Sequence, residues 1–267
     1  MKAPSLRATL VSVALVGMFL AGGLKIAVDQ MLSKDPPADH PPTGVAPGSR
    51  LAGLPIFEVP ARSQGDTLTV FYSGDNGWAK VDRRVSAALA EAGDPVVGVD
   101  ALRYYMRERS LPEATSDLAA IIDHYSRLWN RSRIVLVGYS FGANSLPEIA
   151  RSLPPSIRAR VRLVAMIGPG PKAELVFRPT SWINVYGPGA TSVPQALASL
   201  KGVPIVCIYG ARDPVSACPR FPSGLTALAP VPGGHRYKGQ YDAIANIILR
   251  DAGQAPGRGG ARLVAAN

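Results

Sequence analysis

The chain has 267 residues, 47% of them apolar, and a formal net charge of +10. That length and apolar share can bury one good core, which sets aside a wholly disordered chain and suits a single α/β domain. The arginines are scattered and no Lys/Arg-rich run carries interleaved aromatics, so no nucleic-acid partner is expected, and the charge suits an anionic lipid surface.

In chain order, Met1, Lys2 and Arg7 frame a basic start, and Ala8 to Leu24 is an uncharged apolar run. The run falls short of the about 20 residues of a full membrane span. Residues 1–34 are therefore expected to be a signal peptide or signal anchor, with Ala21-Gly22-Gly23 offering small residues to a peptidase. The expected location is the periplasm, with a tether to the inner membrane if the segment is kept. Residues 35–50 read as a Pro-rich linker containing His40. The folded domain is expected over 51–251, and a Gly/Ala-rich disordered tail over 252–267.

Within the domain, Leu54–Val59 reads as an edge strand and Thr67–Tyr72 as a central one ending in Ser73-Gly-Asp-Asn-Gly77. Trp78, Val81, Val85, Leu89 and Ala92 keep helical spacing, and Gly93-Asp94-Pro95 stops that helix. Pro95–Asp100 is the next strand. Ser110-Leu-Pro-Glu113 reads as a capping box opening a helix whose apolar face runs from Leu118 to Trp129, with His124 on its surface. Ile134–Val137 is an unbroken apolar run, as a strand buried on both faces should be. A helix to about Ser152 follows, with Pro147 inside it. Val161–Ile167 and Val203–Tyr209 are further buried strands, and Leu225–Val231 a weaker last one. Between them, Gly168–Leu200 lacks a clear period and holds Phe177, Trp182 and Tyr186, so a small cap is expected there, with Trp182 against substrate. Tyr237, Tyr241, Ile244, Ile247 and Ile248 are expected to share one face of a final helix. Strands alternating with helices predict a mostly parallel sheet with helices on both faces.

Gly138-Tyr139-Ser140-Phe141-Gly142 is a G-x-S-x-G placed between a strand and a helix, where the turn lifts Ser140 clear of the sheet. Ser140 is the expected nucleophile, and a serine hydroxyl needs a base and an acid to orient that base. Of three histidines, His40 lies in the linker and His124 on a helix surface. His235 remains, in a Gly-Gly-His loop after the last strand, and Asp213 ends the strand before it. The order Ser140, Asp213, His235 is that of α/β-hydrolases, and an α/β-hydrolase fold with a small cap is the expected architecture. The oxyanion is expected to meet the N–H of Phe141 and that of Gly74 or Asp75. Asp75 itself is a candidate for recognising a cationic substrate group. No Cys-x-x-Cys or His cluster occurs, so no metal or cofactor is expected. In an oxidising compartment Cys207 and Cys218 should form a disulfide; in a reducing one they are two core thiols.

Four stretches together resemble the bacterial virulence protein VirJ family and its relative AcvB: Ser73-Gly-Asp-Asn-Gly-Trp78, Gly98-Val-Asp-Ala-Leu-Arg-Tyr-Tyr105, Pro112-Glu113 with Asp117, and Gly138-Tyr-Ser-Phe-Gly-Ala143. The resemblance implies a periplasmic α/β-hydrolase fold and, in the AcvB branch, hydrolysis of aminoacyl-phosphatidylglycerol to free lysine or alanine and the anionic lipid. The partners it implies are membrane phospholipid at the inner-membrane surface and a secretion system. This chain has one such domain, and Arg236 follows His235 where a further histidine would fit the pattern. The rival readings are a general lipase or carboxylesterase, and a non-catalytic binding protein of a secretion system.

Overall fold

Two central strands, β2 (Thr67–Tyr72) and β4 (Arg133–Tyr139), lie side by side in parallel, with Tyr72 opposite Gly138. The computed structural model describes residues 42–180 and 185–253. Around the central pair, β1 (Ile56–Val59), β3 (Val96–Val99), β5 (Val161–Ile167), β8 (Ile205–Gly210) and β9 (Ala227–Val231) complete a seven-stranded sheet of order β1-β3-β2-β4-β5-β8-β9. Only β1 runs antiparallel, pairing Ile56 with Val99 at one edge. Every residue of β2 is buried, because helices cover both faces and leave no polar side for alternation.

On one face lie α1 (Lys80–Glu91) and α5 (Tyr241–Asp251), where Val85, Leu89, Ile244 and Ile248 pack on Val135, Val137 and Ile208. On the other lie α2 (Leu111–Leu128), α3 (Phe141–Ser152) and α4 (Val193–Ala198), whose Leu118, Leu146, Ile149 and Leu197 meet Leu68, Leu136 and Val164. Each face thus receives an amphipathic helix stripe, and the strand ends that carry Ser140 and Asp213 open on the same sheet edge.

Several expectations are corrected. The 168–200 stretch is only partly a cap. Its end is α4, which Ser192 caps by accepting the Gln195 N–H at 3.4 Å, and which buries Val193 and Leu197 in the main core. Six residues are too few to display a helical period, so only packing reveals this connection between β5 and β8. The remainder includes a small antiparallel pair, β6 (Lys172–Ala173) with β7 (Thr191–Ser192). The expected capping box is half formed. Ser110 accepts the Glu113 N–H at 3.3 Å, but the Glu113 carboxylate binds the Arg107 and Arg109 guanidiniums, a stronger charged pairing than a backbone amide offers. Tyr237 precedes α5 in a turn, at φ 48°, and is fully buried. Residues 42–50 are fastened to the domain through Thr43 Oγ1 to Glu58 at 2.7 Å and Arg50 to buried Asp117 at 2.9 Å. Ordered contacts therefore begin before Leu51.

The expected signal or anchor segment, most of the linker including His40, Trp182, and the tail from residue 254 lie outside the described residues. No helix among the described residues is long and apolar enough to cross a membrane.

Candidate active site

The turn after β4 is set by steric exclusion. A Cβ on Gly138 would lie 2.6 Å from the Ala143 Cα, and one on Gly142 would lie 2.4 Å from the Tyr72 carbonyl oxygen. Only glycine lets the chain reverse so tightly from strand to helix. Ser140 takes the strained conformation at the apex, φ 50° and ψ −112°, a cost of ~1–3 kcal/mol that the surrounding fold must offset. The Ser140 N–H donates to the Ile167 carbonyl at 2.8 Å, and Gly142 N–H donates to the Ser73 carbonyl at 3.1 Å. Both neighbouring strands therefore hold the turn.

The hydroxyl so presented meets the two other expected residues. Ser140 Oγ lies 2.9 Å from His235 Nε2, and His235 Nδ1 lies 2.8 Å from Asp213 Oδ2. With the Nδ1 proton donated to the carboxylate, Nε2 is the acceptor for the serine proton. The Asp213 side chain is fully buried, while His235 stays one-quarter exposed. Burial alone would raise the Asp213 pKa, yet the bond and charge of His235 and the amides of Val215 and Ser216 bring it below the ordinary carboxylate range. Those amides donate to Oδ1 at 2.9 and 3.3 Å. Asp213 thereby remains a carboxylate that can orient and stabilise an imidazolium.

The Asp213 loop is closed by a disulfide between Cys207 on β8 and Cys218, with Cα atoms 5.7 Å apart. Two tyrosines brace the histidine. Tyr139 donates from its hydroxyl to the His235 carbonyl at 3.0 Å, and the Tyr237 hydroxyl lies 3.5 Å from Asp213 Oδ2. Gly168, at φ 61°, leaves room for them: a Cβ there would meet the Tyr237 hydroxyl at 2.5 Å and His235 Cε1 at 2.9 Å. Sequence reasoning did not single out these three. Tyr139 is the variable residue inside the motif, but nothing local to Tyr237 or Gly168 signals a role.

The oxyanion side is built from two pieces. Phe141 opens α3, so its N–H has no helical carbonyl to bond. The Ser73–Trp78 turn abuts the nucleophile, since a Cβ on Gly74 would lie 3.6 Å from Ser140 Cβ. Buried Asp82 accepts the Ala79 N–H at 2.9 Å and so holds the far end of the turn. Burial pushes the Asp82 carboxyl up to about 8, against the pull of nearby backbone amides. Asp100 braces the same end, accepting the Arg103 N–H at 3.0 Å beside Gly77. The Asp75 carboxylate is half-buried and accepts from Asn76 Nδ2 at 3.3 Å. No group of metal-ligating side chains occurs among the described residues.

Residues 66–255 match the family described as bacterial virulence protein (VirJ). The chain belongs to the VirJ family. No curated protein matches it significantly in sequence. Among solved structures, the VirJ domain resembles Est1E from Butyrivibrio proteoclasticus at 16% identity and a TM-score of 0.54, over 74% of this chain and 94% of that one. It also resembles a putative dienelactone hydrolase from Klebsiella pneumoniae at 12% identity and a TM-score of 0.53, over 76% of this chain and 93% of that one. At such identities the likeness is one of fold, and that fold is the α/β-hydrolase.

Proposed function

We propose that this VirJ-family protein is a periplasmic serine esterase that removes the aminoacyl group from aminoacyl-phosphatidylglycerol. The observation carrying the esterase reading is the hydrogen-bonded series from Ser140 through His235 to Asp213. His235 Nε2 takes the hydroxyl proton as Ser140 Oγ attacks the ester carbonyl, and the amides of Phe141 and of Gly74 or Asp75 receive the oxyanion. The carbonyl–glycerol C–O bond then breaks. His235 gives its proton to the departing oxygen of phosphatidylglycerol, leaving an aminoacyl-serine. A water loses a proton to His235 and attacks that ester, and Ser140 leaves with the proton as the amino acid is freed.

The aminoacyl part of the reading is supported by the family resemblance and by Asp75. A carboxylate facing an oxyanion site repels the developing charge, so Asp75 is either turned away from it or faces a cationic substrate group. The α-amine of an aminoacyl ester is next to the attacked carbonyl and supplies that cation, in a bond worth roughly 1.5–3 kcal/mol. Plain fatty-acyl esters would leave the carboxylate without it.

Thin-layer analysis of lysyl- and alanyl-phosphatidylglycerol incubated with the protein tests this. Free amino acid and phosphatidylglycerol are expected, and none with Ser140→Ala. Release of fatty acid instead would assign a general lipase. Turnover of no ester at all would favour a binding role in secretion. Asp75→Asn is expected to lower kcat/KM for the aminoacyl lipid about ten- to hundredfold while sparing a neutral aryl ester. Equal loss on both would reduce Asp75 to shaping the turn.

A further inference from the structure

Five large apolar side chains among the described residues are well exposed: Met106, Leu128, Val185, Val215 and Leu228. Singly, such residues carry no message. Three of them, however, lie on loops at the end of the sheet that carries Ser140. Met106, 54% exposed, follows Tyr105, whose ring meets the Phe141 ring edge-on at 5.3 Å. Val215, 56% exposed, donates its N–H to Asp213 Oδ1 at 2.9 Å. Val185, 53% exposed, precedes Tyr186, whose hydroxyl lies near Gly170; the Gly170 N–H donates to Asn144 on α3 at 2.6 Å. They come from the segments after β3, β5 and β8, and parallel strands deliver those segments to one edge of the sheet.

The charges on the same loops are one-sided. Arg103, Lys172, Arg212, Arg236 and Lys238 are exposed there. Of the acids, Asp100 and Glu174 are buried and Asp213 is enclosed behind His235. Glu108 is exposed and Asp75 half-buried. Apolar tips set among cations are what an anionic bilayer recognises: the tips enter the headgroup–acyl boundary, and the cations are drawn to the lipid phosphates.

We propose that the loops around Ser140 form a membrane-docking rim in which Met106, Val185 and Val215 enter the interface of an anionic bilayer. The proposal rests on the lipid-substrate reading for its purpose, but its geometry is independent of which bond is cut. A rim seated in the bilayer brings the headgroup ester to the site without extracting the whole lipid. It also gives the exposed apolar groups a partner.

The test is hydrogen exchange of the full chain carrying Ser140→Ala, with phosphatidylglycerol-containing vesicles and with neutral phosphatidylcholine vesicles. Reading individual segments separates the rim from any binding by residues 1–34. With the anionic vesicles, the segments around residues 106, 185 and 215 are expected to exchange about tenfold more slowly. Met106→Asp/Val185→Asp/Val215→Asp should abolish that slowing, while an otherwise wild-type Met106→Asp/Val185→Asp variant keeps its turnover of a soluble aryl ester. Unchanged exchange in the rim, equal protection by neutral vesicles, or full protection of the triple variant would each overturn the proposal. Protection by added protein copies without lipid, lost in the triple variant, would assign the rim to self-association and overturn it too. Rim protection with no aminoacyl-lipid hydrolysis by the wild type would leave the docking standing and remove only the proposed substrate.

Discussion

Two of the three turns that build the candidate active site, those carrying Ser140 and Asp213, are held by different means. The turn after β4 is rigid because backbone fills the space where side chains would be: Gly138 and Gly142 have no room for a Cβ, and Ser140 is trapped at φ 50°. The turn after β8 has such crowding only at its base, where a Cβ on Gly210 would lie 2.7 Å from the Gly233 carbonyl oxygen. It is held by the Cys207–Cys218 bridge and by the Val215 and Ser216 amides closing on Asp213. A nucleophile must be placed against a carbonyl to within a fraction of an ångström, and steric exclusion achieves that. An orienting acid needs only a fixed carboxylate and tolerates a softer restraint.

The largest effects should separate strain from chemistry at the first turn. Ser140→Ala is expected to lower ester turnover by about five orders of magnitude with little change in stability, as removal of a nucleophile does. Ser140→Gly should be equally inactive yet more stable than Ser140→Ala by about 1 kcal/mol net, because glycine accepts the positive φ. Equal urea midpoints for the two would show that the apex stores no strain.

Next comes the crowding itself. Gly142→Ala would drive a methyl into the Tyr72 and Ser73 carbonyls, 2.4 and 2.5 Å away, and displace the bond from Gly142 N–H to Ser73. A loss of about 2–4 kcal/mol in stability is expected, and at least about a hundredfold in kcat. A variant with wild-type melting would mean that the turn yields, and the contrast between the two turns would fail.

The second turn should be more forgiving. Cys207→Ala/Cys218→Ala is expected to cost about 2–4 kcal/mol in urea unfolding, since an 11-residue separation is released in the unfolded chain. Its kcat should fall less than about tenfold, because the amide contacts to Asp213 remain. A loss as large as that of Gly142→Ala would show that the bridge, and not the amides, positions the acid.

The last effect appears only as a pH dependence and concerns the two buried acids. Asp82 has its pKa raised from 3.8 to about 8, so the folded state holds a proton that the unfolded chain releases. Its contribution to stability is present below the unfolded value and falls as pH rises through that window. Asp213 has the opposite sign: its pKa is depressed, so its contribution is present above the unfolded value and lost as pH falls through the folded one. Asp82→Asn should therefore flatten the fall of Tm between pH 4 and 8, a window set by 3.8 and about 8. An unchanged slope would mean that Asp82 is not the titrating group.

Much of this molecule was legible before any coordinates. The core of β4, Ile134–Val137, shows itself as an unbroken apolar run, and a signature of five adjacent residues locates Ser140, because steric exclusion in a tight turn is a local property. His235 emerged by elimination and Asp213 by its place at a strand end. A period cannot show itself in six residues, so the sequence points to cap where α4 lies. The spacing of Tyr237 fits the last helix, although its backbone leaves that helix in a turn at φ 48°.

By itself, then, the sequence determined the parallel α/β order, the strained serine turn and the identity of the residues able to serve it. Tertiary structure alone decided that Ser140 and His235, 95 positions apart, stand 2.9 Å from each other. It alone placed Gly168 beneath the imidazole and left Met106, Val185 and Val215 exposed on the loops around the site. The reason is physical: chain stiffness and sterics act between neighbours and are written in adjacent letters. Burial and distant hydrogen bonds exist only once the strands have chosen their order.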